Sequence, residues 1–157
     1  MQREGLADAL NLLSQAIERD PRFAPALALM AEIHIYENAN GWVEDPAKTA
    51  HEAIELAHQA LRFGSDDPET VSRAAYALGL FGEDIDAAIA VIDRSLVLNP
   101  SSADAWLRSG LLRLYAGECD HAVEHFEKSL RDQGRPNGCR AGERVHDRSG
   151  NTYSPCP

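Results

Sequence analysis

The feature that most constrains this chain is a nine-residue pattern that occurs four times. Each copy has a small residue and an aliphatic one, then a residue that is usually bulky, then a second small and aliphatic pair. The copies begin at Ala9, Ala53, Ala88 and Ala122, which are 44, 35 and 34 residues apart. Apolar residues spaced three or four apart lie on one face of a helix. A helical unit with a period near 34 residues predicts an all-α fold, an α-α superhelix of stacked antiparallel hairpins, which is typical of binding proteins.

Glycine, proline and acidic residues mark the predicted helix ends. Gly82 and Gly117 follow the first helix of a pair, and acidic residues open the next helix, where the helix dipole favours them. Pro21, Pro68 and Pro100 limit the second helices, because proline cannot continue a helix. We therefore predict a helical domain over residues 5–131 and an out-of-pattern tail after it. The domain divides into a half repeat, 5–20, and three repeats, 24–67, 68–102 and 103–131.

Small residues at both ends of the pattern let two helices approach closely, and the bulky middle residue fills the space between hairpins. Ala57 occupies the bulky position in the second copy, so another side chain is needed there. The first hairpin carries about ten extra residues between its helices, since the first spacing is 44 residues and the others are near 34. Trp42, in this insertion, is the side chain that we expect to fill the space.

The repeats resemble the tetratricopeptide repeat. The matching positions in the last hairpin include Trp106, Gly110, Gly117, Ala122 and Phe126, and the resemblance covers residues 5–131. It implies a solenoid whose first helices line a concave binding face. The chain departs from the family at Arg113 and His34, which stand at a position that is usually aromatic.

The insertion and its surroundings resemble a narrower group. The segment DPRFAPALA at residues 20–28, followed by Gly41-Trp42 and Asp45-Pro46, is similar to the repeat region C-terminal to bacterial class III adenylate cyclase domains and to that of some winged-helix regulators. This resemblance implies the sensing or scaffolding half of a larger signalling protein. A cyclase needs metal-binding aspartates on a β-sheet, and the sequence has no β-rich segment, so we predict no enzymatic activity.

The concave face is the candidate binding site. Aromatic and aliphatic side chains next to isolated arginines suit an amphipathic helix or an extended peptide, and the arginines suit bidentate pairing with carboxylates. The alternative is that these residues have no binding role and are ordinary packing or solvated positions. The predicted partner-binding residues are Tyr36, Arg73, Tyr76, Leu107, Arg108 and Leu111.

The charge of the chain excludes some partners. Its formal net charge is −10, and the acidic excess lies within residues 1–131. Binding to nucleic acid or to an anionic membrane surface needs an excess of Lys and Arg, so we expect neither. Residues 1–13 contain no apolar h-region, and no apolar stretch of the sequence approaches membrane-spanning length, so we expect a cytoplasmic protein. The cysteines, Cys119, Cys139 and Cys156, are odd in number and imply no disulfide framework.

Catalytic and metal sites are not expected. His121 and His125 have a chelating spacing, but two ligands do not make a site, and a solvated helix face explains them better. We expect His34 to be a core histidine that bonds a backbone carbonyl. The carboxylates near Asp67 and Asp84 are explained as helix caps. We therefore predict no metal and no cofactor, and a metal- or small-molecule-binding helical domain is the rival interpretation.

Both ends of the array are unusual. Residues 132–157 lose all apolar periodicity, which indicates a linker or disordered tail, or a frame shift near Arg131. Apolar helix faces at the two ends favour self-association or pairing with a neighbouring segment.

We predict a non-catalytic protein-protein interaction scaffold. The alternative is a regulatory or dimerisation fragment of a bacterial adenylate cyclase or transcription regulator.

Overall fold

The computed structural model describes residues 3–82 and 84–133, which form seven α-helices. No strand occurs in this part of the chain, so the all-α prediction is confirmed. The helices are α1 (Arg3–Arg19), α2 (Ala24–Ala39), α3 (Pro46–Phe63), α4 (Pro68–Leu80), α5 (Ile85–Leu98), α6 (Ala103–Tyr115) and α7 (Cys119–Gln133).

The last helix runs past the predicted end of the repeats. Asp132 and Gln133, which the sequence assigned to the tail, form the end of α7. The rest of that tail, with Cys139 and Cys156, lies outside the described residues. The repeat boundaries drawn from the sequence remain a prediction.

Local chemistry sets the helix starts. The backbone N–H of Thr70 donates to Asp67 Oδ2 at 2.9 Å, and the N–H of Asp86 donates to Asp84 Oδ1 at 3.0 Å. The first N–H groups of a helix have no partner within it, and a capping carboxylate satisfies them. Asp67 and Asp84 are therefore helix caps, as the sequence predicted.

Two hairpin turns depend on glycine. Gly82 and Gly117 have φ angles of 99° and 82°, in the left-handed region that residues with a Cβ rarely adopt. Each glycine stops the first helix of its hairpin just before the chain reverses into the second.

The helices form two layers. Three hairpins, α2/α3, α4/α5 and α6/α7, stack in order, and α1 packs on α2. The inner helices α2, α4 and α6 contact one another in sequence, whereas α3, α5 and α7 make no such contacts within the described residues. Close packing on one side and divergence on the other curve the stack, so that the inner helices line the concave side of an α-α superhelix.

The core of the first two hairpins is built from alanines. Ala57 is fully buried in a cluster with small residues of the neighbouring helices, which include Ala28, Ala31 and Ala74. Small side chains on facing helices let the backbones approach until no space remains. The prediction that Trp42 fills this space is wrong: the partly buried hydrophobic residues against the cluster include Leu80 and Phe81, and Trp42 lies on the concave side.

In the third hairpin, α6/α7, a glycine and an aromatic ring pack together where the first two hairpins use alanines. A Cβ placed on Gly110 of α6 would lie 2.5 Å from the Phe126 ring of α7. The glycine thus makes room for the aromatic ring at the point where the two helices meet.

The outer face of α7 leaves apolar side chains exposed. Val123 and Leu130 are 57% and 69% exposed, whereas their counterparts one repeat earlier, Ile89 and Leu96, are 8% and 7% exposed. The difference arises because α6 packs against α5, while no described helix follows α7. None of the helices within residues 3–82 and 84–133 combines the length and apolar character needed to span a bilayer.

Candidate functional site

A groove of about 740 Å³ runs along the concave side. We call it the concave groove. Its walls come from the inner helices, from the N-terminal half of α1 and from the segment between α2 and α3. The lining residues are Leu6, Ala9, Leu29, Glu32, Ile33, Tyr36, Asn40, Trp42, Arg73, Tyr76, Asp104, Leu107, Arg108 and Leu111.

All six residues predicted to bind a partner line this groove. Tyr36 and Leu107 are 46% and 39% exposed, and Tyr76 and Leu111 are half-buried. These four apolar or aromatic side chains come from three different helices, and exposed aromatic area on a concave surface is typical of binding sites. Whether they contact a partner remains a prediction.

The two arginines of this set are engaged within the chain. Glu32 of α2 accepts from Arg73 Nη1 at 2.6 Å and from Arg108 Nε at 2.8 Å, one bond on each carboxylate oxygen. Glu69 accepts from Arg73 Nε at 2.9 Å and from Arg108 Nη1 at 3.2 Å. We call these four residues the ionic network, and it joins the three inner helices across the floor of the groove.

The ionic network is largely buried, which indicates that it holds the fold together. Glu32 and Arg108 are both buried, and Arg108 also donates to the Ser72 hydroxyl at 3.1 Å. Burial is the largest single influence and lowers the pKa of Arg108, but the charge and hydrogen bond of Glu32 together with the charges of Glu69 and Asp104 outweigh it, and the net shift is upward. Two guanidinium charges face two carboxylates, so direct pairing of Arg73 and Arg108 with a partner's carboxylate would compete with internal bonds.

Tyr76 lies close to this network. Burial raises its pKa to about 12, with smaller contributions from Tyr115, Tyr36 and the charge of Glu32. Its hydroxyl therefore keeps its proton at neutral pH and remains a hydrogen-bond donor in the groove wall.

Glu32 was not among the residues that the sequence predicted to bind a partner. It is a carboxylate within a helix of otherwise strongly apolar composition, and such a residue needs a buried partner. That local signal was available, although its partners, 41 and 76 residues away, were not. Trp42 and Asn40 were missed as lining residues.

His121 and His125 lie in different surroundings. His121 is exposed, 3.4 Å from Glu118 Oε2, whereas His125 is buried between α6 and α7, where its Nδ1 lies 3.0 Å from the Ser109 hydroxyl. The prediction that both lie on a solvated face is therefore wrong for His125, because its ring packs edge-on against Trp106 at 4.7 Å. Within the described residues no cluster of three or more metal-ligating side chains occurs.

His34 is half-buried, but its partner differs from the prediction. Its Nδ1 lies 2.9 Å from the Glu37 carboxylate, one helical turn away, and not from a backbone carbonyl. Backbone carbonyls inside a helix already accept bonds within it, which leaves a nearby side chain as the available partner.

Stacked hairpins with a concave groove on the inner helices define a tetratricopeptide-like α-α superhelix. The structure resembles a crystal structure of the MamA protein with a TM-score of 0.57 and 21% identity, covering 83% of this chain and 66% of that one. A second structure, MamA MSR-1 C2, has a TM-score of 0.54 and 16% identity, covering 82% and 68%. At these identities the likeness establishes the fold alone.

One curated relative is a mouse protein, Protein O-mannosyl-transferase TMTC1. The two sequences are 23% identical over 127 residues, which make up 79% of this chain and 12% of the mouse protein. This chain therefore spans a small part of that relative. No protein-family model matches this chain.

Proposed function

We propose that this chain is a protein-interaction module without catalytic activity of its own, and that it binds a segment of a partner protein in the concave groove. Tyr36, Tyr76, Leu107 and Leu111 are the contacts to the partner. Arg73 and Arg108 contribute by holding the groove floor in shape. We also propose, from the sequence, that the protein works in the cytoplasm and binds neither nucleic acid nor membrane.

One observation carries the proposal: apolar and aromatic side chains from three helices lie together on the concave side, where Tyr36 and Leu107 are exposed and Tyr76 and Leu111 are half-buried, although other apolar residues of the same helices are fully buried. Leaving apolar area in water has a cost of about 25 cal/mol for each Å². A binding partner would recover that free energy.

The test is to select peptides against the purified chain from a random displayed library and to measure their affinity by calorimetry. We expect Leu107→Asp to weaken binding at least about tenfold, because it places a charge among the apolar contacts. Val97→Asp is the matched control, since Val97 is 82% exposed on the outer helix α5. Peptides that bind Leu107→Asp and the native chain equally would contradict the groove assignment.

A second proposal keeps the sequence-based alternative. The match with the mouse protein covers 12% of that protein, so a repeat segment of this size occurs within a much longer chain. This supports a segment of a larger protein, and the regulatory or dimerisation role in a bacterial adenylate cyclase or transcription regulator rests on the sequence resemblance alone. Translating the DNA on both sides of the coding region in all frames tests it, and stop codons close to both ends in every frame would reject it.

A further inference from the structure

We propose that the partner segment in the concave groove is an amphipathic α-helix with a neutral or basic outer face, and not an extended or acidic peptide. This inference rests on the proposed function and specifies the ligand of the same groove.

The backbone of the groove walls points to a helix. Most of the lining residues belong to helices, whose backbone N–H and C=O groups bond within each helix. An extended peptide carries unpaired N–H and C=O groups along its length, and burying them without partners is costly. A helical ligand satisfies its own backbone and needs mainly apolar contact from the groove.

Two polar side chains of the groove that could pair with an extended backbone are already bonded within the chain. Both carboxylate oxygens of Glu32 accept bonds from the arginines of the ionic network. Asn40 donates to the backbone carbonyl of Tyr36 at 2.7 Å. An extended ligand would have to break such bonds before it formed its own.

The charge of the groove determines which charge on the ligand is favoured. The two guanidinium groups and the two carboxylates of the ionic network sum to zero. Asp104, which lines the groove and is exposed at the start of α6, gives this network and the groove wall together a negative balance. Glu69 belongs to that count because it bonds both arginines, although it does not line the groove itself. The surrounding acidic excess of the chain adds to this field, which attracts a basic ligand and repels an acidic one.

The test uses designed helical peptides with one apolar face and three outer faces, basic, neutral and acidic, together with a proline-interrupted version of the basic peptide. Affinities are measured by fluorescence anisotropy at low and high salt. We expect the basic helix to bind about tenfold more tightly than the acidic one at low salt, and the difference to shrink in high salt, because salt screens exposed charges. The proline-interrupted peptide should lose most of its affinity.

Two variants locate the effect. Asp104→Lys should reduce the preference for the basic helix, whereas Asp120→Lys, an exposed acidic residue in the first turn of the outer helix α7, should leave it unchanged. A preference for the acidic helix, or equal binding of the proline-interrupted peptide, would overturn the inference and leave the groove function standing. If no helical peptide binds but a library-selected peptide does, the helix assignment is wrong. If neither binds in a way that depends on Leu107, the proposed function fails as well.

Discussion

At the scale of single residues, Gly110 controls the contact between α6 and α7. Replacing it with alanine brings a Cβ to within 2.5 Å of the Phe126 ring, so the ring or the helix must move. Overpacking of this kind costs about 1 to 3 kcal/mol, more than the gain of up to about 1 kcal/mol that alanine brings to a helix. We expect Gly110→Ala to lower the urea midpoint of unfolding.

Gly5→Ala is the matched control for this substitution. Gly5 lies in α1, and no atom lies within 4 Å of a Cβ placed there. Without a clash, the helix propensity of alanine should leave the free energy of unfolding unchanged or raise it slightly. Equal destabilisation by the two substitutions would show that Gly110 is not a packing glycine.

His125 makes the third hairpin sensitive to acid. Its pKa is lowered, first by burial and then by the nearby charges of Arg113 and Lys128. The unfolded chain therefore takes up a proton at a higher pH than the folded chain does, so the free energy of unfolding falls as the pH drops below about 6.5. Asp93 and Glu124 act in the opposite direction but do not reverse the shift.

The measurement is urea unfolding between neutral and mildly acidic pH, with native chain and His125→Gln compared. We expect the variant to lose part of the stability decrease between pH 7 and pH 5, since glutamine does not titrate. His121→Gln is the control, because His121 is exposed. Identical pH profiles for native chain and His125→Gln would contradict this prediction.

At the scale of helices, the ionic network fixes the inner layer. Glu32→Gln removes one negative charge and leaves two guanidinium groups, the buried one of Arg108 and the half-buried one of Arg73, against a single carboxylate. Breaking a buried ion pair from one side costs about 3 kcal/mol or more, and we expect a loss of that order in unfolding experiments. The control is Glu52→Gln, whose exposed pair with Lys48 at 3.7 Å contributes less than about 1 kcal/mol. A loss no larger than that of the control would mean that the network does not stabilise the inner layer.

The helices and their caps were predictable because their causes are local. Gly82 and Gly117 stop helices through their own backbone freedom, and Asp67 and Asp84 satisfy N–H groups two or three residues away. Trp42 failed as a prediction because its position depends on how closely alanines of three helices approach. The distance between these helices is set by the assembled core, and the spacing of residues along the chain does not predict it.

The site was predictable in part for the same reason. The repeat register brought Tyr76 and Leu111 to one side, since each lies six residues before the turn glycine of its hairpin and equivalent positions of stacked hairpins share a surface. The pairing of Arg73 and Arg108 with Glu32 joins residues 41 and 76 positions apart, and no sequence pattern indicates which of several carboxylates an arginine reaches. The shape of the groove followed from the pattern, and its electrostatic balance did not.

At the scale of the whole molecule, the uncovered end of the stack is open to association. Val123 and Leu130 lie where the previous repeat buries Ile89 and Leu96 under an inner helix. We expect the chain to self-associate as its concentration rises, which light scattering would show as a growing mean mass. A Val123→Lys, Leu130→Lys double variant should stay monomeric over the same range. A native chain that remains monomeric at every concentration would refute the expectation.

The ionic network also bears on how the array unfolds. In a stack of repeats each unit contacts only its neighbours, so the ends are free to fray one hairpin at a time. Here α2 and α6 do not pack on each other, and yet Arg108 of the third hairpin holds Glu32 of the first. Opening of either end breaks a bond to the opposite hairpin, so we expect the array to unfold more cooperatively than a stack held by contacts between neighbours alone.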